Sequence, residues 1–144
     1  MPGRTDGRER LRLPEETVCT EKGSDILMTV EELVRACNLC VFHMDDRSAP
    51  VTGGYAGDLL SWVMGRAKAG DAWLTIMSNQ NVAAVALLSE LSCVVLTEGA
   101  VPDRDLQARA RERGINLLGS KEDTFTLAAR LGALLSLTGG RSVK

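Results

Sequence analysis

Ala72-Trp73-Leu74-Thr75-Ile76-Met77, then Val82-Ala83-Ala84-Val85-Ala86-Leu87-Leu88-Ser89-Glu90, then Cys93-Val94-Val95-Leu96-Thr97 decides the fold. Two strand-length apolar runs flank a helix-length one, joined by links of a few polar residues, which is the pattern of a βαβ unit. Val94-Val95-Leu96 has no polar alternation, as expected of a strand covered on both faces of a parallel sheet. Downstream, Pro102 introduces a helix over 103–113 with Gly114 at its carboxyl cap. A strand over 115–118 and a closing helix over 123–137 follow. Upstream, 58–67 reads as a helix ended by Gly70, and 44–57 as a polar loop holding Pro50 and Gly53-Gly54. Residues 39–43 read as a short strand, and Thr29 caps a helix reaching Ala36, with Glu31 and Glu32 in its first turn. The expectation is an α/β domain with a mainly parallel four-stranded sheet flanked by helices.

The chain has 144 residues, 17 basic against 19 acidic, with 44% hydrophobic and 25% charged residues. A chain of this length buries roughly 68–70% of its unfolded surface, enough for one domain with a true core. Its net charge of −2 gives no electrostatic footprint for nucleic acid or an acidic membrane. Two Trp, one Tyr and two Phe are too few for base-stacking platforms. Charged residues of both signs interleave through 1–25, read as a flexible leader, and 138–144 as a tail, leaving 26–137 as the domain. The amino terminus lacks the apolar stretch of a secretory signal, and the longest apolar run, 82–88, is far below the ~20 residues that span a bilayer. A cytoplasmic protein is expected.

Two helices carry more apolar surface than one face uses: Leu59, Leu60, Trp62, Val63 and Met64 on one, Val82 through Leu88 on the other. A helix apolar on every side is buried on every side. Either the monomer covers both, or a second subunit does, a two-fold homodimer being the commonest assembly.

The four cysteines are expected as reduced thiols in the cytoplasm. Cys37, Cys40 and His43 form a CxxCxxH that needs Cys19 or Cys93 to close a zinc site. Cys37 ends a helix and Cys40 lies inside a strand, with no knuckle turn between them, so structural cysteines are the expectation, with no metal and no cofactor. Catalysis lacks material as well. The single His, His43, lies three residues from Cys40, on the opposite face of a strand, and no nucleophile–base–orienter set is visible. A binding module fits these residues better than an enzyme.

Open parallel sheets hold ligands beyond the carboxyl ends of their strands, and those ends are polar here. Asn79 and Asn81 follow the second strand, Glu98 and Gly99 the third, and the loop after the first holds Asp45, Asp46, Arg47, Thr52, Gly53 and Gly54. Thr52, Gly53 and Gly54 offer backbone and hydroxyl contacts, Asn79 and Asn81 amide contacts, and Glu98 a contact to ribose-type hydroxyls. Helix capping and tight turns compete for each of these residues. Thr52-Gly53-Gly54 is not a Walker loop, having no GK[ST].

Val51-Thr52-Gly53-Gly54-Tyr55-Ala56-Gly57-Asp58-Leu59-Leu60-Ser61-Trp62-Val63-Met64-Gly65 closely resembles the signature of the DRTGG domain family. Segments at 70–75, 81–86 and 94–99 agree with it, as do Pro102-Asp103, Gly114-Ile115 and Thr124-Phe125, so that the resemblance covers about 27–137. Asp46-Arg47 is separated from Thr52-Gly53-Gly54 by residues 48–51, so the naming pentapeptide is not contiguous. The resemblance implies an α/β domain similar to the amino-terminal domain of HPr kinase/phosphorylase, without the kinase half. DRTGG domains also occur in some phosphotransacetylases and beside CBS domains in regulated pyrophosphatases, settings that imply ligand sensing or subunit contact. The combined expectation is a non-catalytic regulatory domain that binds a small metabolite or nucleotide and acts through subunit contacts. A structural adaptor docking on an enzyme complex is the alternative, and a metal or redox protein built on Cys37, Cys40 and His43 a second.

Overall fold

A computed structural model describes residues 28–137. The leader expected over 1–25, the tail over 138–144, and Cys19 lie outside the described residues. In chain order the elements are β1 (Met28–Thr29), α1 (Val30–Cys37), β2 (Cys40–His43), β3 (Pro50–Val51), β4 (Gly53–Ala56), α2 (Leu60–Arg66), β5 (Asp71–Thr75), α3 (Asn81–Leu88), β6 (Cys93–Leu96), α4 (Arg104–Arg113), β7 (Leu117–Gly119) and α5 (Thr124–Leu137).

The main sheet has five strands in the order β2-β7-β6-β5-β4, and β1 pairs with β3 in a separate ribbon. Strands β4 to β7 run parallel, each a helix apart in sequence, as the βαβ pattern requires. The fold class expected from the sequence holds, with one more strand in the sheet. The added strand is β4, whose Gly53-Gly54 reads as a turn because glycine is a poor strand former. Packing accounts for glycine here: a Cβ on Gly54 would stand 2.7 Å from Cδ2 of Leu131 on α5. The short strand β2 does not open the parallel series. It lies antiparallel to β7 at the sheet edge, with Cys40 opposite Gly119 and His43 opposite Leu117.

Each face of the sheet has its own core. Trp73, Val94, Leu96 and Leu117 meet Val63, Val82, Val85, Leu106 and Ala110 of α2, α3 and α4. Ala72, Leu74, Cys93, Val95 and Leu118 meet Val30, Leu33, Leu127, Leu131 and Leu135 of α1 and α5. Neighbours such as Trp73 and Leu74 therefore serve opposite layers, the period-two rule of a strand with two buried faces. The Trp73 indole, fully buried, donates to Gly57 O at 2.8 Å, so its burial leaves no polar atom unpaired.

Caps fix the helix ends. Thr29 and Glu32 form a reciprocal capping box on α1, at 3.1 and 3.2 Å. Gly114 closes α4 with φ 72°, as its place after residue 113 predicts. The apolar helices are not covered all round in the single chain: Trp62 and Met64 on α2 and Leu87 and Leu88 on α3 remain exposed. Among the described residues no helix is long and apolar enough to cross a membrane.

Candidate functional site

The carboxyl ends of β4 to β7 lie along one rim, where hydrogen bonds join each loop to the next. Asp58, after β4, accepts from the Thr75 hydroxyl at 2.7 Å and from Ile76 N at 2.9 Å, at the end of β5. Ser78, after β5, donates to Asp103 Oδ1 at 3.2 Å, and Asp103 N donates back to Ser78 O at 2.9 Å, ahead of α4. Thr97, after β6, is buried with its hydroxyl 2.6 Å from that of Thr124 at the start of α5.

The centre of the rim is the turn after β6. Glu98 has φ 62° and Gly99 φ 73°, and Ala100 N donates to Thr97 O at 3.0 Å, so both central residues of the turn are left-handed. Gly99 adopts this freely, whereas Glu98 bears a cost of roughly 1–2 kcal/mol. Glu98 N donates to Glu122 O at 2.8 Å and Gly99 N to Ser120 O at 2.9 Å, which lock the turn against the loop after β7. The Glu98 side chain is exposed, with Oε2 3.4 Å from Thr124 N at the first turn of α5. A carboxylate there is favoured by the helix dipole.

Four of the seven residues expected to bind ligand share this rim: Asn79, Asn81, Glu98 and Gly99. Asn79 carries a local duty, its Oδ1 accepting Asn81 N at 2.9 Å at the start of α3. The other three, Thr52, Gly53 and Gly54, lie elsewhere. Gly53 pairs with Asp71, the first residue of β5, so this tripeptide sits at the amino ends of the parallel strands. It does not form the glycine loop read from the sequence: Gly53 and Gly54 belong to a strand, and Thr52 N donates to Gly70 O at 2.9 Å. Because β2 is antiparallel, the loop after it also reaches the amino end, taking Asp45, Asp46 and Arg47 with it.

At that opposite end, Asn116 does what spacing did not reveal. Only 4% exposed, it accepts from Asp45 N at 2.7 Å and Asp46 N at 2.9 Å, and donates to Asp46 O at 2.9 Å and Ser92 O at 3.0 Å. All four hydrogen-bonding positions of a buried amide are thus used. Its signal was a lone amide inside the apolar run at 115–118. Nearby, the buried Ser92 hydroxyl bridges Pro50 O and Gly70 O.

Among the described residues no three His, Cys, Asp or Glu side chains gather as a metal site requires. Cys37, Cys40 and Cys93 are free, Cys40 exposed and the others buried. Burial pushes the Cys93 thiol up to about 12. Burial also raises Cys37, the Arg130 cation opposing and the Glu122 carboxylate reinforcing the rise. Neither is an activated thiolate. His43 Nε2 is enclosed with no hydrogen-bond partner among the described residues.

Two grooves flank the helices. One, of about 370 Å³ between α3 and α4, is lined by Gln80, Asn81, Ala84, Leu87, Leu88, Arg109 and Arg113. The other, of about 390 Å³, runs between β4 and α5 beside Gly53 and Gly54. On α2, the Arg66 guanidinium lies 3.9 Å from the centre of the Trp62 ring, a cation–π contact.

A parallel α/β sheet whose loops are cross-linked along the carboxyl rim defines the class of domain. Residues 58–134 match the model of the DRTGG domain, and the chain belongs to that family. The matched span begins after Thr52-Gly53-Gly54. No curated protein matches the sequence. Among solved structures, the chain is similar to the CBS and DRTGG domains of the regulatory region of Clostridium perfringens pyrophosphatase, a crystal structure in complex with the activator diadenosine tetraphosphate. The TM-score is 0.55 at 13% identity, over 78% of this chain and 47% of that one, so this chain spans about half of its length.

Proposed function

We propose that this DRTGG domain is non-catalytic and regulatory, binding a small metabolite or nucleotide at the carboxyl rim of its parallel strands and passing occupancy on through subunit contacts. The observation that carries the reading is the left-handed Glu98-Gly99 turn after β6, locked against the loop after β7 with the Glu98 carboxylate exposed. Backbone strain in a non-glycine residue is typical of ligand clamps. In this reading Glu98 accepts from ribose-type hydroxyls, while the amides of Asn79 and Asn81 read the rest of the ligand. Thr52, Gly53 and Gly54, expected from the sequence to contact the ligand, lie at the other end of the sheet and are not assigned to this rim in the reading. The nucleotide activator held by the similar regulatory region favours nucleotides as the first ligands to try.

The test is thermal unfolding of the full chain with ATP, ADP, AMP and diadenosine tetraphosphate at millimolar concentration. A ligand at 100 times its dissociation constant stabilises by about 2.7 kcal/mol, and Glu98→Ala should abolish the rise in Tm. If none of these nucleotides moves Tm, the nucleotide form of the proposal fails.

The exposed Leu59, Trp62, Met64, Leu87 and Leu88 favour subunit contact through α2 and α3, most simply in a homodimer. Sedimentation of the wild type as a dimer, and of Leu88→Glu as a monomer, is expected. An adaptor that docks on an enzyme complex would use the same helices, favoured by the Arg109 and Arg113 flank of the α3–α4 groove. A monomeric wild type that co-purifies with an enzyme would support that second reading.

A further inference from the structure

Helix α3 shows the solvent a face without charge. Val82, Ala83, Val85 and Ala86 are buried in the core shared with α2 and α4, which leaves Asn81, Ala84, Leu87 and Leu88 outside, and Leu88 is 70% exposed. The outer face of a surface helix is ordinarily charged. Here Ala84, Leu87 and Leu88, spaced i, i+3 and i+4, form one wall of the groove of about 370 Å³ against α4. The facing wall is cationic. Arg109 and Arg113, one helical turn apart on α4, line the same groove, and no carboxylate does. Arg109 is braced by its Nε, which donates to Gln80 Oε1 at 3.1 Å, while Glu112 stands 3.6 Å from its guanidinium. Arg113 has no ion pair among the described residues. In a chain of net charge −2, α4 holds four Arg against Asp105 and Glu112.

We infer that this groove receives an acidic amphipathic helix of a partner protein. The inference rests on the adaptor reading above and names the chemistry of the partner. A helix laid in a groove anchors apolar residues at i, i+3, i+4 and i+7. The α3 wall is eight residues long, about 12 Å, so a partner helix running along it engages about two turns. Its apolar residues meet Ala84, Leu87 and Leu88. Its carboxylates, spaced four apart, meet Arg109 and Arg113, which share that spacing. A free inorganic anion would engage the arginines and leave the leucines wet. A second copy packed groove to groove would bring the same two arginines and no carboxylate from its lining. The acidic helix satisfies both walls.

The test is a displayed library of helical peptides, about 16 residues long, selected on the full chain. Enriched peptides should carry Leu, Ile or Phe at helical spacing beside Asp or Glu, and a fluorescein-labelled winner should bind in solution. The Arg109→Gln/Arg113→Gln variant should keep its Tm and lose at least about tenfold in affinity. The Arg109→Glu/Arg113→Glu variant should instead bind the same peptide with Lys in place of each acid. Enrichment of basic or uncharged peptides, no enrichment, full affinity in the Gln variant, or failure of the charge exchange overturns the inference. So does displacement of the peptide by millimolar inorganic phosphate beyond that by chloride of equal ionic strength, which would mark a small-anion site. An enzyme that co-purifies equally with the wild type and the Gln variant leaves the adaptor reading standing and overturns this inference alone. Nucleotide-induced shifts in Tm at the carboxyl rim are a separate readout.

Discussion

Gly54 and Leu131 touch across the junction of the last sheet strand and the last helix, so closely that a Cβ at 54 would come within 2.7 Å of Leu131 Cδ2. Leu131 is 4% exposed and has little room to withdraw. Gly54→Ala should cost about 1–3 kcal/mol, the range for overpacking. Gly65, in α2, has nothing within 4 Å of its would-be Cβ. Gly65→Ala should instead stabilise by roughly 0.5–1 kcal/mol through helix propensity. Urea midpoints of the two variants, shifted in opposite directions, check the pair.

Asn116→Ala removes one side chain that serves two N–H donors and two carbonyl acceptors. Leaving buried polar groups unpaired costs about 1–3 kcal/mol. The loop holding Asp45 and Asp46 is also released, so amide exchange there should accelerate more than in β5 or β6. Uniform acceleration across the sheet would contradict this local role.

Glu98→Gly relieves the left-handed backbone at the cost of the 3.4 Å contact to Thr124 N. A net gain of up to about 1 kcal/mol is expected in the ligand-free protein. If the rim binds nucleotide as proposed, the same variant loses the ligand-induced rise in Tm. Higher stability with lost binding is the pattern of strain kept for function.

The buried Cys93 thiol titrates at about 12, against 9.0 for an unperturbed one. Between these values the unfolded chain has lost the proton that the folded chain keeps, so stability falls as pH rises. The contribution is present in full below pH 9 and declines toward pH 12. Urea denaturation at pH 8 and pH 10 should show a smaller alkaline loss in Cys93→Ala than in the wild type. Equal losses would mean that the thiol is not held protonated by burial.

The parallel core was legible because β5, β6 and α3 are written in runs of apolar residues that only a two-sided sheet can bury. Caps were legible too, at Thr29 and Gly114, since each residue type has a local reason to be there. What the sequence concealed was long-range. Gly54 is glycine on account of a leucine 77 residues later, and no local pattern carries that information. The direction of β2 depends on its pairing with β7, which likewise lies outside any window. Four of the seven candidate residues share a rim as topology predicts, Asn79, Asn81, Glu98 and Gly99 gathering as strand ends do. Thr52, Gly53 and Gly54 lie apart from them because their glycine-rich stretch, loop-like in local pattern, leads into and forms the strand β4.

The packing of α5 on β4 also bears on synthesis. As the nascent chain leaves the ribosome, the α1/α5 face of the sheet, including Ala72, Leu74 and Val95, waits for a helix that is among the last described residues to emerge. Contacts so distant in sequence slow the search for the native state. The partly made domain therefore presents a greasy, half-roofed sheet to the cell, and its safest moment to close comes only when translation of α5 is finished.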